Sequence, residues 1–400
     1  MSKIQVTQQP KILMFVPQYP YPVVGGLERQ SHELSKALLR QSTQVIVLSG
    51  KINGEGPSQE FVEGVNVFRL PWANIKWLRS LQSTLALIWI MYKLRSQYNI
   101  VHIHNISWSG GLVLILGKLL GKKSLVKLPN SGEFGIPGIR TRFLGILLLQ
   151  ILKRSNVVIA LSEDSAQELT DIAYPRRQVL KITNGISSAG YFTKRDTHND
   201  TDLVKAIFAG RLSKEKGLFD LLGAWAKALE NLPQSAILDI CGDGPLKEAL
   251  IDMVKELGIE GSVRILGHVE GMASLLGNAD FFVLPSYFEG NSNAILEAMA
   301  AGLPIISTRV GGTPCLVGRE GAKLLCSPGD QDALAKHLTL LISGPVLRRS
   351  YGAAMRKRVV NFFDIDAVTA RYLSVYKHLL SPDTAICVSD LSSPIFAEPL

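Results

Sequence analysis

Twice along this chain, short apolar strands alternate with amphipathic helices, and a doubled alternation of that kind leaves few folds open. The first series begins with the strand "KILMFVPQYP", which runs into a loop holding Gly25 and Gly26. It continues through the helix "LERQSHELSKALLR" and the strand "TQVIVLSG", then "IVHIHN", "KSLVKLP", "NVVIALS" and "QVLKITNG". Between Ser187 and Asp202 the sequence turns polar ("SSAGYFTKRDTHND"), the composition of a linker. A second series follows: strand "LVKAIFAG", a helix over 218–229, strand "AILDICG", a helix over 246–257, strands "SVRILG" and "DFFVLPS", a helix over 294–301, and strand "PIIST". Alternation with crossover helices makes parallel, doubly wound sheets. The expected fold is therefore α/β, with one domain over 1–190 and another over 203–362 facing a cleft. A helix over about 367–380 returns to the first domain, and a Ser/Pro-rich, disordered tail spans 381–400. The 400 residues, 46% of them hydrophobic, suffice for two cores.

Charge divides the chain unevenly. Residues 1–200 hold 24 Lys+Arg against 12 Asp+Glu, whereas the whole chain carries +9, so the basic excess belongs to the first half. That suggests an anionic partner there. The stretch "LPWANIKWLRSLQSTLALIWIMYKLR" mixes Trp72, Trp77, Trp89 and Tyr92 with Lys76, Arg79, Lys93 and Arg95, and "LGKLLGKKSLVK" adds Lys118, Lys122 and Lys123. Interleaved aromatic and basic residues suit a headgroup interface, although the same aromatics would also serve a core. The uncharged runs 80–92 and 143–152 are too short to span a bilayer and read as buried or interfacial helices. The apolar run near the N-terminus is too short for a signal peptide. Cys241, Cys315, Cys326 and Cys387 have neither metal spacing nor a paired framework, so reduced thiols are expected. The expected location is cytoplasmic, with peripheral attachment to the cytoplasmic face of the membrane, and no nucleic-acid partner.

Ligands of doubly wound sheets bind beyond the strand C-termini, and three loops of the second series lie there. "GRLSKEKG" places Arg211 and Lys216 between a strand and a helix start, suited to a diphosphate. "CGDGP" has glycines at 242 and 244 that let backbone approach a ligand. "SYFEGNSNAILEAMAAGLP" sets Glu289 in a loop and Glu297 in the following helix. Eight helical steps would separate them by about 12 Å, wider than the roughly 5–9.5 Å of a paired-carboxylate glycosidase. Two ends of one elongated ligand fit that spacing better.

These motifs carry a family resemblance. "PQYPYPVVGGLERQSHELSKAL", "IVHIHN", "TNGI", "AGRLSKEKGLFDLL", "ICGDGP" and above all "PSYFEGNSNAILEAMAAGLPIISTRVGG" resemble the family-4, group 1 retaining glycosyltransferases of the GT-B fold, up to about residue 380. The resemblance implies two Rossmann-like domains and a sugar moved from a nucleoside-diphosphate sugar to a glycan or lipid-linked acceptor. It implies Arg211 and Lys216 on the donor diphosphate, and Glu289 near the transferred sugar with Gly290 and Asn291 offering backbone contacts. It implies Glu297 on the ribose, and Gly25 and Gly26 approaching the phosphates. Where many relatives have a histidine after "LVKL", this chain has Asn130, with Glu133 three residues on; His104, after His102, is a further site candidate. The family's "NGVD" here reads "NGIS", with Ser187 in place of the acid. No acid–x–acid triplet follows a strand of the site, so neither metal nor cofactor is expected. A nucleotide-sugar epimerase of the same fold and a non-enzymatic nucleotide-sugar-binding protein are the alternatives.

Overall fold

A computed structural model describes residues 8–20, 25–51, 56–71, 76–129, 131–132, 135–191, 203–230, 232, 236–381 and 392–393, with backbone alone at 76–79. The chain forms two compact units, the first from residues up to Gly185 together with Ile365–Pro394, the second built on Ile186–Asp364.

In the first unit β1 (Lys11–Val16) is buried from Ile12 to Val16, as a strand covered on both faces must be. After it come α1 (Gly26–Arg40), β2 (Gln44–Gly50), β3 (Gln59–Val62), β4 (Val65–Leu70), α2 (Lys76–Lys93) and β5 (Ile100–Ile103). Then follow α3 (Trp108–Leu119), β6 (Lys123–Leu128), α4 (Ile136–Arg140), α5 (Gly145–Leu152), β7 (Val157–Ala160), α6 (Glu163–Asp171) and β8 (Val179–Lys181). Among the described residues the sheet order is β3-β4-β2-β1-β5-β6-β7-β8, parallel except for the β3–β4 hairpin. The chain builds outward from β1 through β2 and β4, then crosses to β5 on the other side of β1. The switch point therefore lies where β1 and β5 end. One face is covered by α2, α3 and α5 through Leu87, Met91, Val113, Leu114, Leu148 and Leu152.

The second unit contains β9 (Val204–Ala209), α7 (Leu218–Leu229), β10 (Ala236–Cys241), α8 (Lys247–Glu256), β11 (Val263–Gly267), α9 (Met272–Gly277) and β12 (Phe281–Leu284). It continues with α10 (Asn293–Ala300), β13 (Ile305–Thr308), α11 (Thr313–Gly321), β14 (Leu325–Cys326), α12 (Gln331–Ser343) and α13 (Pro345–Arg358). Its sheet is wholly parallel, in the order β11-β10-β9-β12-β13-β14, with the switch point between β9 and β12. Finally α14 (Ile365–Leu380) packs Val368, Tyr372, Val375 and Tyr376 on the first unit's sheet, on the face that α1 shares through Leu34 and Leu38.

Residues 187–191, read from the sequence as the start of a linker, belong to the second unit. Ser188 donates to Asp364 Oδ2 at 2.8 Å, and Arg356 donates to the Ser188 carbonyl at 3.0 Å. Residues 192–202 lie outside the described residues, as does most of the tail. At Ser392 and Ser393 the tail is not detached: both hydrogen-bond the backbone of Lys181, at the end of β8. Cys241, Cys315 and Cys326 are buried thiols outside any disulfide; Cys387 lies outside the described residues.

Candidate active site

The loops after β9 and β10 are fastened to each other. Gly210 N–H donates to the Cys241 carbonyl at 3.0 Å, and Leu212 N–H to the Asp243 carbonyl at 2.9 Å. A Cβ on Gly242, whose φ is +139°, would lie 1.8 Å from the Gly210 oxygen, so only glycine permits this seam. Arg211 leaves it exposed. A single turn of 3₁₀ helix over Lys214–Lys216 then ends at Gly217, where φ is +66° and a Cβ would meet the Pro285 oxygen at 2.0 Å. The loop after β9 is thus pressed against the end of β12, and Tyr287 N–H donates to the Glu215 carbonyl at 2.8 Å.

That contact delivers Lys216 to Glu289. Lys216 Nζ lies 2.7 Å from Glu289 Oε1, with the two side chains 20% and 9% exposed. Ser286 Oγ donates to the same carboxylate oxygen at 2.8 Å. The Ser286 carbonyl in turn accepts from Thr308 Oγ1, at the end of β13. A third strand end therefore supports the Glu289 turn. Gly312 N–H donates to the Gly290 carbonyl at 2.8 Å. Gly311, at φ +52°, passes so close that a Cβ would meet the Glu289 oxygen at 1.6 Å. Asn291 is buried, and Ser292 caps α10 by accepting from Ile295 N–H at 3.4 Å. In the second turn of α10, Glu297 is buried beside Ile295, Leu296 and Ala298.

Six residues singled out from the sequence therefore lie at one topological switch point: Arg211 and Lys216 on the loop after β9, Glu289, Gly290 and Asn291 on the loop after β12, and Glu297 on α10. Sequence reasoning missed Ser286, Gly311 and Gly312. Their signal was available in "PSYFEG" and "RVGG", each directly after a strand, but which strand ends are neighbours depends on sheet order. It also placed Lys216 on a diphosphate and Glu289 on a sugar without foreseeing that the two side chains pair. A cation, an exposed guanidinium and a helix N-terminus at a strand-end crevice can hold an anion. The carboxylate beside them can accept hydroxyl hydrogen bonds.

In the first unit Gly25 precedes α1 in extended backbone, and Gly26 is that helix's first residue. Their loop is anchored at its start by Arg69 on β4, which donates to the carbonyls of Tyr19 at 3.1 Å and Pro20 at 2.9 Å. His104 follows β5, and its N–H donates to the Phe15 carbonyl of β1 at 3.0 Å, at this sheet's own switch point. Its ring is buried and stacks on His102 with centroids 4.2 Å apart. His102 accepts or donates a 2.8 Å hydrogen bond with the Tyr376 hydroxyl of α14. Lys127 on β6 completes the cluster, fully enclosed, with Nζ donating to Asn184 Oδ1 at 2.8 Å. Burial pushes the Lys127 ammonium down to about 7. Burial, reinforced by His102 and Lys127, holds His104 well below the ordinary histidine range. Asn130 and Glu133 lie outside the described residues. Among the described residues no group of three or more His, Cys, Asp and Glu is placed to hold a metal ion.

Residues 192–358 match the glycosyl transferases group 1 family and residues 24–189 match glycosyltransferase family 4. Glycogen synthase of Mycobacterium tuberculosis is 27% identical over 394 residues, covering 92% of this chain and 94% of that protein. N-acetyl-alpha-D-glucosaminyl L-malate synthase of Bacillus anthracis is 27% identical over 382 residues, covering 91% and 96%. Among solved structures, sucrose-phosphate synthase from Thermosynechococcus elongatus superposes with a TM-score of 0.77 at 21% identity, over 94% of this chain and all of that one.

Proposed function

This chain belongs to the group 1 glycosyl transferases of glycosyltransferase family 4 and is a nucleotide-sugar-dependent glycosyltransferase, and we propose that it transfers a hexose-type sugar with retention of anomeric configuration to a lipid-linked glycan precursor. The observation that carries the donor assignment is the meeting of Lys216, from the loop after β9, with Glu289, from the loop after β12. Arg211 and Lys216 bind the two phosphates. Glu289, with the backbone of Gly290 and Asn291, receives the sugar hydroxyls, and Glu297 holds the ribose. No metal or cofactor enters the reaction.

In the chemical step the bond from the sugar's anomeric carbon to the diphosphate oxygen breaks as the acceptor oxygen bonds to that carbon on the same face. The acceptor's proton passes to the departing phosphate oxygen. Negative charge grows on the diphosphate in an oxocarbenium-like transition state, where fixed cations stabilise it more than in the ground state. Lys216 acts there while its partner Glu289 orients the sugar. His104, neutral and enclosed, takes a positioning role, and Asn130 stands as a neutral hydrogen-bond donor where relatives have histidine.

The test is a panel of nucleoside-diphosphate sugars incubated with the purified chain, first alone and then with lipid-linked glycan acceptors. Slow release of nucleoside diphosphate with one donor, and an acceptor product whose new anomeric centre matches the donor's by NMR, is expected. An altered sugar still attached to its nucleotide would instead identify an epimerase, and inversion at the anomeric carbon would refute the retaining step.

A further inference from the structure

From Gly64 to Ser162 the chain holds thirteen Lys and Arg, of which Arg69 and Lys127 are buried on strands, but a single acidic residue, Glu133. This stretch builds the helix layer of α2, α3 and α5 on one face of the first sheet. Buried positions of α2 face the sheet through Leu87, Ile90 and Met91. Its outer side exposes Leu81, Leu85, Ile88, Trp89 and Tyr92, spaced as one stripe, with Trp89 60% exposed. The turn into α5 does the same with Phe143, Leu144, Ile146 and Leu147, Phe143 being 84% exposed. That turn is rigidly set. Gly145 crosses the end of α4 so closely that a Cβ would lie 1.9 Å from the Ile139 oxygen, and Leu144 is held at φ +53°.

Basic residues line one edge of this apolar face. Helices joining parallel strands end at the edge where the next strand begins. The sequence neighbours of those ends are Lys93 and Arg95 before β5, Lys118 and Lys122 before β6, and Arg154 before β7. Since β5, β6 and β7 are adjacent, these cations form one rim. Lys93 lies over the Trp89 ring at 4.7 Å and Arg95 over Tyr92 at 4.1 Å, so charge and aromatic surface are presented together. Basic residues at helix C-termini also complement the helix dipole. That accounts for neither the exposed stripe on α2 nor the near absence of acid over 99 residues.

We infer that the outer face of the α2–α3–α5 layer docks on an anionic lipid bilayer, with Trp89, Tyr92, Phe143 and Ile146 seated at headgroup depth and the basic rim on lipid phosphates. The inference rests on the proposed lipid-linked acceptor. Charge decides the occupant: a one-sign edge beside a broad apolar face complements an anionic sheet of lipid. Among the described residues no helix is long and apolar enough to cross a membrane, so contact is in the plane of the surface.

The experiment is co-sedimentation of the full chain with vesicles of phosphatidylcholine, alone or mixed with phosphatidylglycerol, at low and physiological salt. Binding to the anionic vesicles is expected, falling about tenfold as salt rises, with little on neutral vesicles. Trp89→Ser with Ile146→Ser should weaken it tenfold or more at either salt. Lys93→Gln with Arg95→Gln and Lys118→Gln should weaken it and remove the salt dependence. The control Val346→Ser with Val360→Ser, exposed in the second unit, should bind as the parent does. Donor hydrolysis at the parent rate in every variant reports intact folding. The inference is overturned if the Trp89/Ile146 variant sediments like the parent, or if neutral vesicles bind equally. It is also overturned if the face instead mediates a dimer that this variant dissociates. Donor hydrolysis without vesicle binding overturns docking alone, whereas vesicle binding with transfer only to soluble glycans overturns the lipid-linked acceptor and leaves docking in place.

Discussion

Lys127→Met should stabilise the first unit, and by an amount that depends on pH. Lys127 is 5% exposed, and burial lowers its ammonium pKa to about 7, against roughly 10.4 in an unfolded chain. A difference of about 3.5 units corresponds to about 5 kcal/mol. Because the folded value of this base is depressed, the cost is complete below pH 7, where both states carry the proton. Between pH 7 and about 10.4 the unfolded chain holds more protons, so stability rises with pH and the cost disappears. Methionine removes the cost but also the 2.8 Å hydrogen bond to Asn184, worth roughly 1–3 kcal/mol when a buried acceptor loses its donor. The net gain at pH 6 is about 2–4 kcal/mol, and at pH 9 it shrinks by about 3 kcal/mol. Hydrogen exchange of the β5 and β6 amides reads the unit directly, without requiring the whole chain to unfold in one step. At pH 6 their exchange should slow about 30- to 1000-fold in the variant, with little change at pH 9. Equal destabilisation at both pH values would show that the lysine is a charged, well-solvated partner in the fold, and the burial argument would be wrong.

The remaining expectations concern the donor site and its neighbours. Gly311→Ala places a Cβ against the Glu289 carbonyl at a positive φ; turnover should fall at least tenfold with the second unit still folded, and parent-like turnover would show that the turn is not held there. Glu289→Gln should lower turnover far more than donor affinity, and Glu297→Gln should weaken binding of free nucleoside diphosphate; calorimetric titration of that nucleotide separates the two, and an unaffected Glu297→Gln removes the ribose assignment. His104, enclosed and held well below the histidine range by burial, His102 and Lys127, should show the nitrogen shifts of a neutral imidazole at pH 6 by NMR. An imidazolium signature there would contradict its placement.

Much of this molecule was legible because local patterns carry it. Apolar runs such as "ILMFV" and "FFVL" announce buried strands, and loops that leave a strand for a helix fall at the sheet's C-terminal edge without knowledge of strand order. That was enough to bring Arg211, Lys216, Glu289 and Glu297 to one place. What local patterns lack is adjacency. The β3–β4 hairpin was not read, because "QEFV" is four residues long with only Val62 buried, and "VNVFRL" is interrupted by the polar Asn66 and Arg69. The Lys216–Glu289 pair joins residues 73 apart in sequence and depends on β12 lying beside β9. Burial was not legible for the same reason: nothing in "KSLVKLP" marks Lys127 as enclosed, and it is Tyr372 of α14 that lies over its ammonium. Conversely, Trp89 and Tyr92 could have been core aromatics on sequence alone, yet both are more than half exposed. Trp72 lies outside the described residues, as do the side chains of Lys76, Trp77 and Arg79.

The central claim is that the crevice between β9 and β12 binds a nucleoside diphosphate through Arg211 and Lys216. Titrating the free nucleoside diphosphate of the preferred donor into the parent chain and into Arg211→Ala with Lys216→Ala tests it most directly. Two charge-assisted contacts at about 1.5–3 kcal/mol each predict an affinity loss of at least 100-fold in the double variant, with its circular dichroism unchanged. Equal affinity in the two proteins would contradict the account and move the donor to another part of the molecule.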